Sequence, residues 1–316
     1  MIIMKLINRL LVVFFVGILT FGCSSKGKTD TNTVSNAPQK PKNFERVRPP
    51  VIMTNPQDQA GYIITHFWDK FAFTDTMYCH APEITEQAFL DFIILFPYAK
   101  NEKVFEGVKK LLDSSEVEEV MYNYFCSLAD RILYNPNSRY RSDEFYIPFL
   151  EHVVESKKIN ELSKIRSQQM LQLAYRNRIG SKAENFVYTT ETGSSGRLHN
   201  ISAPKVLLMF YNPECKECKQ TTDQIKQSSV ITEAVSSGKL KILTVYPDEK
   251  MEVWQSHLKN FPSSWINGYD KSLAIRNNQV YDLKAIPTLY LLDVDKTVLL
   301  KDASVENIQG FLSQNL

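Results

Sequence analysis

The sequence predicts an α+β protein in which an all-helical N-terminal domain is followed by an α/β domain with a central mixed sheet. Between residues 58 and 178, apolar residues recur at helical spacing, as they do from Ala60 to Phe71. From residue 181 onward, short apolar runs such as Val206–Tyr211 alternate with polar segments of helical character. Such a change in hydrophobic period along one chain favours two separately folded modules.

Residues 1–22 have the pattern of a signal peptide. Lys5 and Arg9 precede an uninterrupted apolar stretch, residues 10–19, which is too short for a stable membrane span. Cys23 follows a small residue, and the segment resembles a bacterial lipoprotein signal in which Cys23 becomes the lipidated first residue. An ordinary secretory signal with a chance cysteine is the alternative. The resemblance implies a lipid bilayer as partner and a periplasm-facing anchor in the cell envelope, with the outer membrane favoured over the inner.

Residues 23–56 are predicted to form a flexible tether. They are rich in Ser, Lys, Thr, Asn and Pro and offer little that could form a core. A flexible coil of this length spans on the order of 30 Å root-mean-square, so a folded module could work at some distance from a bilayer. The remaining chain, about 260 residues, is long enough for two domains, which we place at residues 57–180 and 181–316.

The charge balance gives no indication of a nucleic-acid partner. The chain has 37 Lys and Arg against 35 Asp and Glu, and removal of a signal peptide containing Lys5 and Arg9 leaves 35 of each. No long basic run remains, so nucleic acid is not an expected partner.

The first domain is predicted to be a set of amphipathic helices. After the helix that begins near Ala60, helical spacing predicts helices at residues 86–96, 102–112, 117–132, 143–154 and 161–175. Ser115 and Glu118 have the spacing of a capping box before the helix at 117–132. Pro148 is expected to kink or offset the helix in which it lies. The aromatic side chains fall at helical spacing, which favours core packing over a ligand surface; they are Tyr62, Phe67, Trp68, Phe71 and Phe73.

Two cysteines, Cys79 and Cys126, lie in this helical domain. An exported protein permits a structural disulfide between them, but connectivity cannot be deduced from sequence. Two buried free thiols are an equally favoured alternative, and electron transfer to Cys218 is a third and less favoured one.

The strongest chemical signal is Cys215-Lys216-Glu217-Cys218, directly after the apolar run at 206–211. A cysteine at a helix start meets unpaired backbone N–H groups and the positive end of the helix dipole, and both favour the thiolate. The spacing lets the second thiol reach back to the first. Half of a zinc site is the alternative, but the chain has neither a second such pair nor a histidine near Cys215 in sequence. The pattern therefore favours redox chemistry and predicts no metal.

Together with Ala285-Ile286-Pro287-Thr288, which opens a second buried strand, the motif resembles thioredoxin-like domains of the TlpA/ResA type over residues 183–312. The resemblance implies that Cys215 is the attacking nucleophile and Cys218 the resolving thiol. It implies a cis peptide bond before Pro287, with the Ile286 backbone beside the sulfur, and no cofactor. The residue pattern itself predicts a hairpin at 183–199 and strands at 206–211, 240–246, 289–292 and 297–300, in the order that a thioredoxin-like module requires.

Three segments of the helical domain carry a second resemblance. Trp68–Phe71, Pro82–Phe89 and Tyr134–Ser138 resemble an uncharacterised helical domain that precedes thioredoxin-like modules in bacterial lipoproteins. This resemblance implies an architecture and no activity.

The chain departs from the TlpA/ResA pattern around the cysteines. Glu214 stands where a tryptophan is usual, and Met209 and Thr221 occupy the positions where relatives place a buried acid. Proton transfer from the resolving thiol is therefore assigned to Glu217, Asp223 or water. Trp254 and Trp265 either line the groove beside the cysteines or pack in the core.

These observations predict a membrane-tethered periplasmic thiol-disulfide oxidoreductase that reduces or exchanges disulfides in exported proteins and receives electrons from a membrane redox donor. Peroxide reduction is a disfavoured variant, because Asn212 stands where the activating threonine of that group is expected. A non-catalytic binding or assembly lipoprotein, acting through its helical domain, is the alternative from another class.

Overall fold

The computed structural model of the protein describes residues 43–315, and these belong to one compact unit. The predicted signal peptide, the predicted lipid anchor Cys23 and the larger part of the predicted tether lie outside the described residues.

Within the described residues, the N-terminal domain is built from α-helices joined by short 3₁₀ and π-helical turns. Each predicted helix has a counterpart, and the last has the predicted bounds. No helix between residues 43 and 315 is both long enough and apolar enough to cross a bilayer. The helices are α1 Pro56–His66, α2 Pro82–Ile94, α3 Asn101–Ser115, α4 Glu119–Ala129, α5 Asp143–Glu155 and α6 Glu161–Tyr175.

The predicted capping box is wrong. Ser115 is the last residue of α3, and its hydroxyl donates to the Leu112 carbonyl oxygen at 2.8 Å. Glu118 precedes α4 without a side-chain cap. Ser115 is fully buried, so its hydroxyl is satisfied inside its own helix instead of capping the next one. Pro148 lies within α5, which continues past it.

The described end of the predicted tether is partly packed against the helical domain. Residues 43–55 contain neither helix nor strand. The Phe44 ring nevertheless lies 5.1 Å from the Phe67 ring and 5.2 Å from the Trp68 ring, measured between centroids. Because Phe44 packs against these rings, the folded region begins before residue 57, the boundary predicted from the sequence. In the sequence Phe44 is an isolated apolar residue, so the pattern did not indicate this packing.

The C-terminal domain contains a seven-stranded mixed sheet with helices packed against it. The strand order is β2-β1-β5-β4-β3-β6-β7, in which β3, β4 and β5 are parallel neighbours and β6 runs antiparallel to β3. The strands are β1 Val187–Thr190, β2 Ser195–Arg197, β3 Lys205–Phe210, β4 Leu240–Tyr246, β5 Ile266–Tyr269, β6 Thr288–Leu292 and β7 Val298–Lys301. The helices are α7 Lys216–Gln227, α8 Ser229–Ser236, α9 Met251–His257, α10 Ala274–Asn277 and α11 Val305–Asn315.

Strand β3 is buried on both faces, which explains its uninterrupted apolar run. Leu207 and Met209 join the core that α7, α8 and α11 share with the sheet. Val206, Leu208 and Phe210 point to the core on the opposite face. The loop after β3 therefore starts from a strand that is fixed on both sides.

Strand β5 was not predicted, because Ile266-Asn267-Gly268-Tyr269 shows no apolar alternation. It forms through pairing, parallel to β4 on one side and antiparallel to β1 on the other. A Cβ atom on Gly268 would come 3.0 Å from Cβ of Tyr188, so the close approach of the two strands favours glycine at this position.

Candidate active site

Cys215 is the N-cap residue of α7, in the loop that follows β3. Its Sγ accepts a hydrogen bond from the backbone N–H of Cys218 at 3.2 Å. A sulfur in this position faces the unpaired N–H groups of the first helical turn, which stabilise negative charge on it. The predicted placement of the first thiol at a helix start is thus seen in the structure.

Cys218 lies one turn into α7 and is only 2% exposed. The backbone N–H of Asn212 lies 3.5 Å from its Sγ. Burial raises the pKa of the Cys218 thiol above its ordinary value, and the neighbouring Cys215 raises it further. Because Cys215 is only half-buried, an incoming molecule can reach Cys215 but not Cys218. The two thiols therefore differ in exposure, as is required of an attacking cysteine that meets the client and a resolving cysteine that does not.

The peptide bond between Ile286 and Pro287 is cis. The Ile286 carbonyl oxygen lies 3.6 Å from Cys215 Sγ. The pairing of β6 with β3 accounts for this proximity, since Thr288 is opposite Phe210 at the end of β3 where the cysteine loop begins. The sheet thus brings together two segments that are far apart in sequence.

Glu217 is an acidic residue beside the first cysteine, with its Oε2 3.6 Å from Cys215 Sγ. Glu214, which replaces the usual tryptophan, is exposed and lies 3.9 Å from Lys250 Nζ. Lys216 is exposed. Of the two acids in the motif, Glu217 is therefore placed to accept a proton from the Cys215 thiol.

A cavity of about 410 Å³ adjoins Cys218. Asp223, one of the predicted proton acceptors, lines it, whereas Met209 is fully buried in the sheet. A cavity of this size holds several water molecules, at about 30 Å³ each in the liquid. It can therefore place water beside the Cys218 thiol.

Sequence reasoning missed Tyr211, which lines the same cavity. Burial raises the pKa of its phenol, and negative charge on Cys218 would raise it further. The Trp254 indole N–H opposes this rise through its interaction with the phenol oxygen. Its position in the sequence could have revealed it. Tyr211 directly follows β3 and lies two residues after Met209. Because side chains alternate between the two faces along a strand, Tyr211 and Met209 both face the cysteine side of the sheet.

Trp254 and Trp265 are packing residues. They are 2% and 8% exposed and belong to the core on the cysteine side of the sheet. Trp254 stacks on Tyr269 at 5.5 Å between ring centroids. Of the two roles considered from sequence, the structure favours burial.

Cys79 and Cys126 are free thiols in the structure, as are Cys215 and Cys218. Cys79 Sγ lies 3.7 Å from Met121 Sδ. Burial raises the pKa of the Cys126 thiol to about 12, with a smaller opposing effect from Tyr122. Both thiols have a raised pKa, and a disulfide between them stays a prediction. Among residues 43–315, no three His, Cys, Asp or Glu side chains are grouped as metal ligands.

The sheet topology, the cysteine pair at the start of α7 and the proline loop beside it define a thioredoxin-like protein. A thioredoxin-like family model matches residues 204–298, and the model of a domain of unknown function, DUF5106, matches residues 22–177. The chain is 42% identical to a thioredoxin-like protein from Bacteroides caccae, covering 88% of this chain and 100% of that one with a TM-score of 0.84. The protein therefore belongs to the thioredoxin-like proteins that carry an N-terminal domain of this unknown-function family.

Other solved structures match less than half of the chain. The C-terminal domain of an uncharacterized protein from Bacteroides fragilis is 47% identical, covering 43% of this chain and 98% of that one with a TM-score of 0.43. A domain of a possible thiol-disulfide isomerase from Cytophaga hutchinsonii is 24% identical, covering 44% of this chain and 94% of that one with a TM-score of 0.36. No curated protein matches the sequence at a significant level.

Proposed function

We propose that the protein is a thiol-disulfide oxidoreductase of the cell envelope that reduces or exchanges disulfides in exported proteins. One observation carries the proposal: Cys215 is accessible at the start of α7, while Cys218 is buried one turn behind it with its own N–H bonded to the first sulfur. This arrangement suits a two-step exchange in which the first sulfur meets the client and the second releases it.

In the first step, the Cys215 thiolate attacks one sulfur of a client disulfide. A mixed disulfide forms with Cys215, and the other client sulfur leaves as a thiolate. Cys218 then attacks Cys215, which forms the Cys215–Cys218 disulfide and releases the second client sulfur. The client disulfide has gained two electrons and become two thiols, and a membrane redox donor returns the cysteine pair to its dithiol form.

The second step requires Cys218 to lose its proton, and burial opposes this by raising the pKa of that thiol. Water in the adjoining cavity is the proposed acceptor, with the Asp223 carboxylate on the cavity wall to take the proton onward. Glu217 serves the other cysteine, since its carboxylate contacts Cys215.

Substitution of Cys218 by serine is expected to leave client proteins attached to Cys215, because the step that breaks the mixed disulfide is removed. The adducts should appear on non-reducing gels of envelope extracts and disappear with reductant. Cys215→Ser should trap nothing, and Cys126→Ser, which removes a buried thiol elsewhere, should behave like the wild type. The proposal fails if Cys218→Ser traps no client and the wild-type pair never changes between dithiol and disulfide.

The envelope location is also part of the proposal and is supported by the signal-like residues 1–22 and by Cys23. We expect labelled palmitate to be incorporated into the wild-type protein in cells, and Cys23→Ala to lose both the label and the membrane association. Cys79→Ala is a matched control and should keep both. Equal labelling of the wild type and Cys23→Ala would remove the lipid anchor from the proposal without affecting the thiol chemistry.

A further inference from the structure

A buried ion-pair cluster joins the helical domain to the α/β domain. Asp143, the first residue of α5, has Oδ1 2.6 Å from Lys284 Nζ and Oδ2 2.7 Å from Lys301 Nζ. Lys284 Nζ also lies 3.1 Å from Asp282 and 4.3 Å from the centre of the Tyr134 ring. The side chains of Asp143, Lys284 and Lys301 are only 3%, 8% and 6% exposed. The cluster therefore excludes water.

Asp143 and Lys284 are both held in their charged forms. Burial raises the pKa of Asp143, but the Lys301 and Lys284 ammonium groups outweigh it and leave that pKa below its ordinary value. Burial lowers the pKa of Lys284, but Asp143 and Asp282 outweigh it and leave that pKa raised. Buried charges are tolerated only in specific geometries, so this cluster fixes the relative position of its members more strictly than an apolar contact would.

A second group of contacts holds the chain a few residues before Lys284. Arg176, at the end of α6, donates to the carbonyl oxygens of Asn278, at 2.8 Å, and Gln279. The neighbouring Asn177 donates from its side-chain amide to the Val280 carbonyl oxygen at 2.8 Å. We call residues 278–284 the anchored segment, because residues of the helical domain bind it at both of its ends.

The anchored segment leads directly to the attacking cysteine. Ile286, whose carbonyl oxygen is 3.6 Å from Cys215 Sγ, follows Lys284 by two residues. No helix or strand occurs between residues 278 and 287. Within its own domain the segment is held by Tyr281, whose buried hydroxyl donates to the Glu184 carbonyl oxygen at 2.6 Å. Without regular secondary structure, the path to Ile286 depends on these side-chain contacts.

We propose that the helical domain positions the active-site loop of the α/β domain, and that Asp143 and Lys284 are the positioning pair through which it does so. The domain of unknown function thereby acquires a role at the cysteine site without contacting the sulfur itself. This inference rests on the proposed thiol chemistry of Cys215. It goes further in assigning the geometry around that sulfur to residues from the other domain.

Two lysines on the same carboxylate provide a matched comparison. Lys284→Met removes the contact made by the anchored segment itself, whereas Lys301→Met removes an equally buried ammonium group on β7, which contacts Asp143 and the Arg176 carbonyl oxygen. Both changes are made in the Cys218→Ser background. Arg176→Ala is a milder third variant, because Arg176 is exposed and its loss removes only the contacts to Asn278 and Gln279. Circular dichroism melts confirm that each variant is folded at the assay temperature.

Two readouts are measured on each variant. The first is the concentration of a disulfide-bonded peptide that gives half-maximal mixed-disulfide formation on Cys215. The second is the rate at which iodoacetamide modifies Cys215, followed by mass spectrometry. We expect Lys284→Met to raise the half-maximal concentration on the order of tenfold, because a small misplacement of binding groups has effects of this size. It should also speed alkylation, because withdrawal of the Ile286 carbonyl uncovers one side of the sulfur. Arg176→Ala should shift both readouts less and in the same directions.

Lys301→Met should leave both readouts within about twofold of the parent, since the geometry at the sulfur is unchanged. The inference is overturned if Lys284→Met and Lys301→Met give the same alkylation rate, whether or not the peptide reacts. If the parent forms no mixed disulfide with any peptide disulfide, the proposed function fails instead, and the alkylation rates still decide the positioning role.

Discussion

Replacement of Asp143 by asparagine is expected to lower the free energy of unfolding by about 3–5 kcal/mol, because it leaves the buried Lys301 ammonium group without its carboxylate partner and Lys284 with Asp282 alone. Asparagine has nearly the shape of aspartate, so the change removes the charge and little packing. Lys284 and Lys301 each lie within 2.7 Å of the Asp143 carboxylate, and neither can reach water without rearrangement of the domain interface. Chemical denaturation at neutral pH, followed by far-ultraviolet circular dichroism, measures the loss.

A surface ion pair supplies the control for this change. Glu106 pairs with Lys103 at 2.8 Å, but the two side chains are 42% and 50% exposed. Glu106→Gln is likewise a change from an acid to an amide at an ion pair, and we expect it to cost at most about 1 kcal/mol. Equal losses of unfolding free energy in the two variants would mean that the buried cluster contributes no more to stability than a solvent-exposed ion pair does.

The pH dependence gives a second signature of the same cluster. The folded-state pKa of Asp143 is depressed, so its contribution to stability is present above its unfolded pKa, about 3.9, and is lost as the pH falls through the lower folded value. The stability difference between the wild type and Asp143→Asn should therefore shrink as the medium is acidified below about pH 4. A difference that stays constant from neutral to strongly acidic pH would argue against an ionised Asp143 in the folded protein.

Local patterns in the sequence were sufficient for much of the fold and for the thiols. The bounds of α6 and the burial of β3 follow from hydrophobic period alone. Cys215 falls at the N-cap of α7 because the apolar run ends a few residues before it and the polar helical segment starts directly after it. Each of these features is determined by residues within a few positions of one another, so a single sequence contains the necessary information.

Features that depend on distant pairing were not predictable in the same way. Asp143 and Lys284 are separated by 141 positions, and in sequence each looks like a surface charge. Strand β5 exists through its neighbours β1 and β4, and its own four residues carry no strand pattern. Ser115 satisfied the rule for a capping box but is buried in α3, where tertiary packing decides which helix it belongs to.

The aromatic residues of the helical domain converge on Phe125 of α4, which is fully buried. Substitution of Phe125 by alanine is expected to lower the free energy of unfolding by about 3–5 kcal/mol, the usual cost of removing a buried phenylalanine ring. The ring lies within 6.0 Å, centroid to centroid, of the rings of Trp68, Phe71, Phe73 and Phe89. Phe89 lies in α2 and the other three lie in the irregular segment after α1, so they cannot close the cavity without moving the elements that carry them.

Val120 offers the matched control on the same helix, since its side chain is 56% exposed. Val120→Ala should change the free energy of unfolding by less than about 0.5 kcal/mol. If Phe125→Ala were equally mild, the ring cluster would be a loosely packed surface and the ligand role that helical spacing disfavours would gain support. A large loss would show that the helical domain is a firmly packed body. That rigidity is what the domain needs in order to hold the anchored segment at a fixed distance from Cys215.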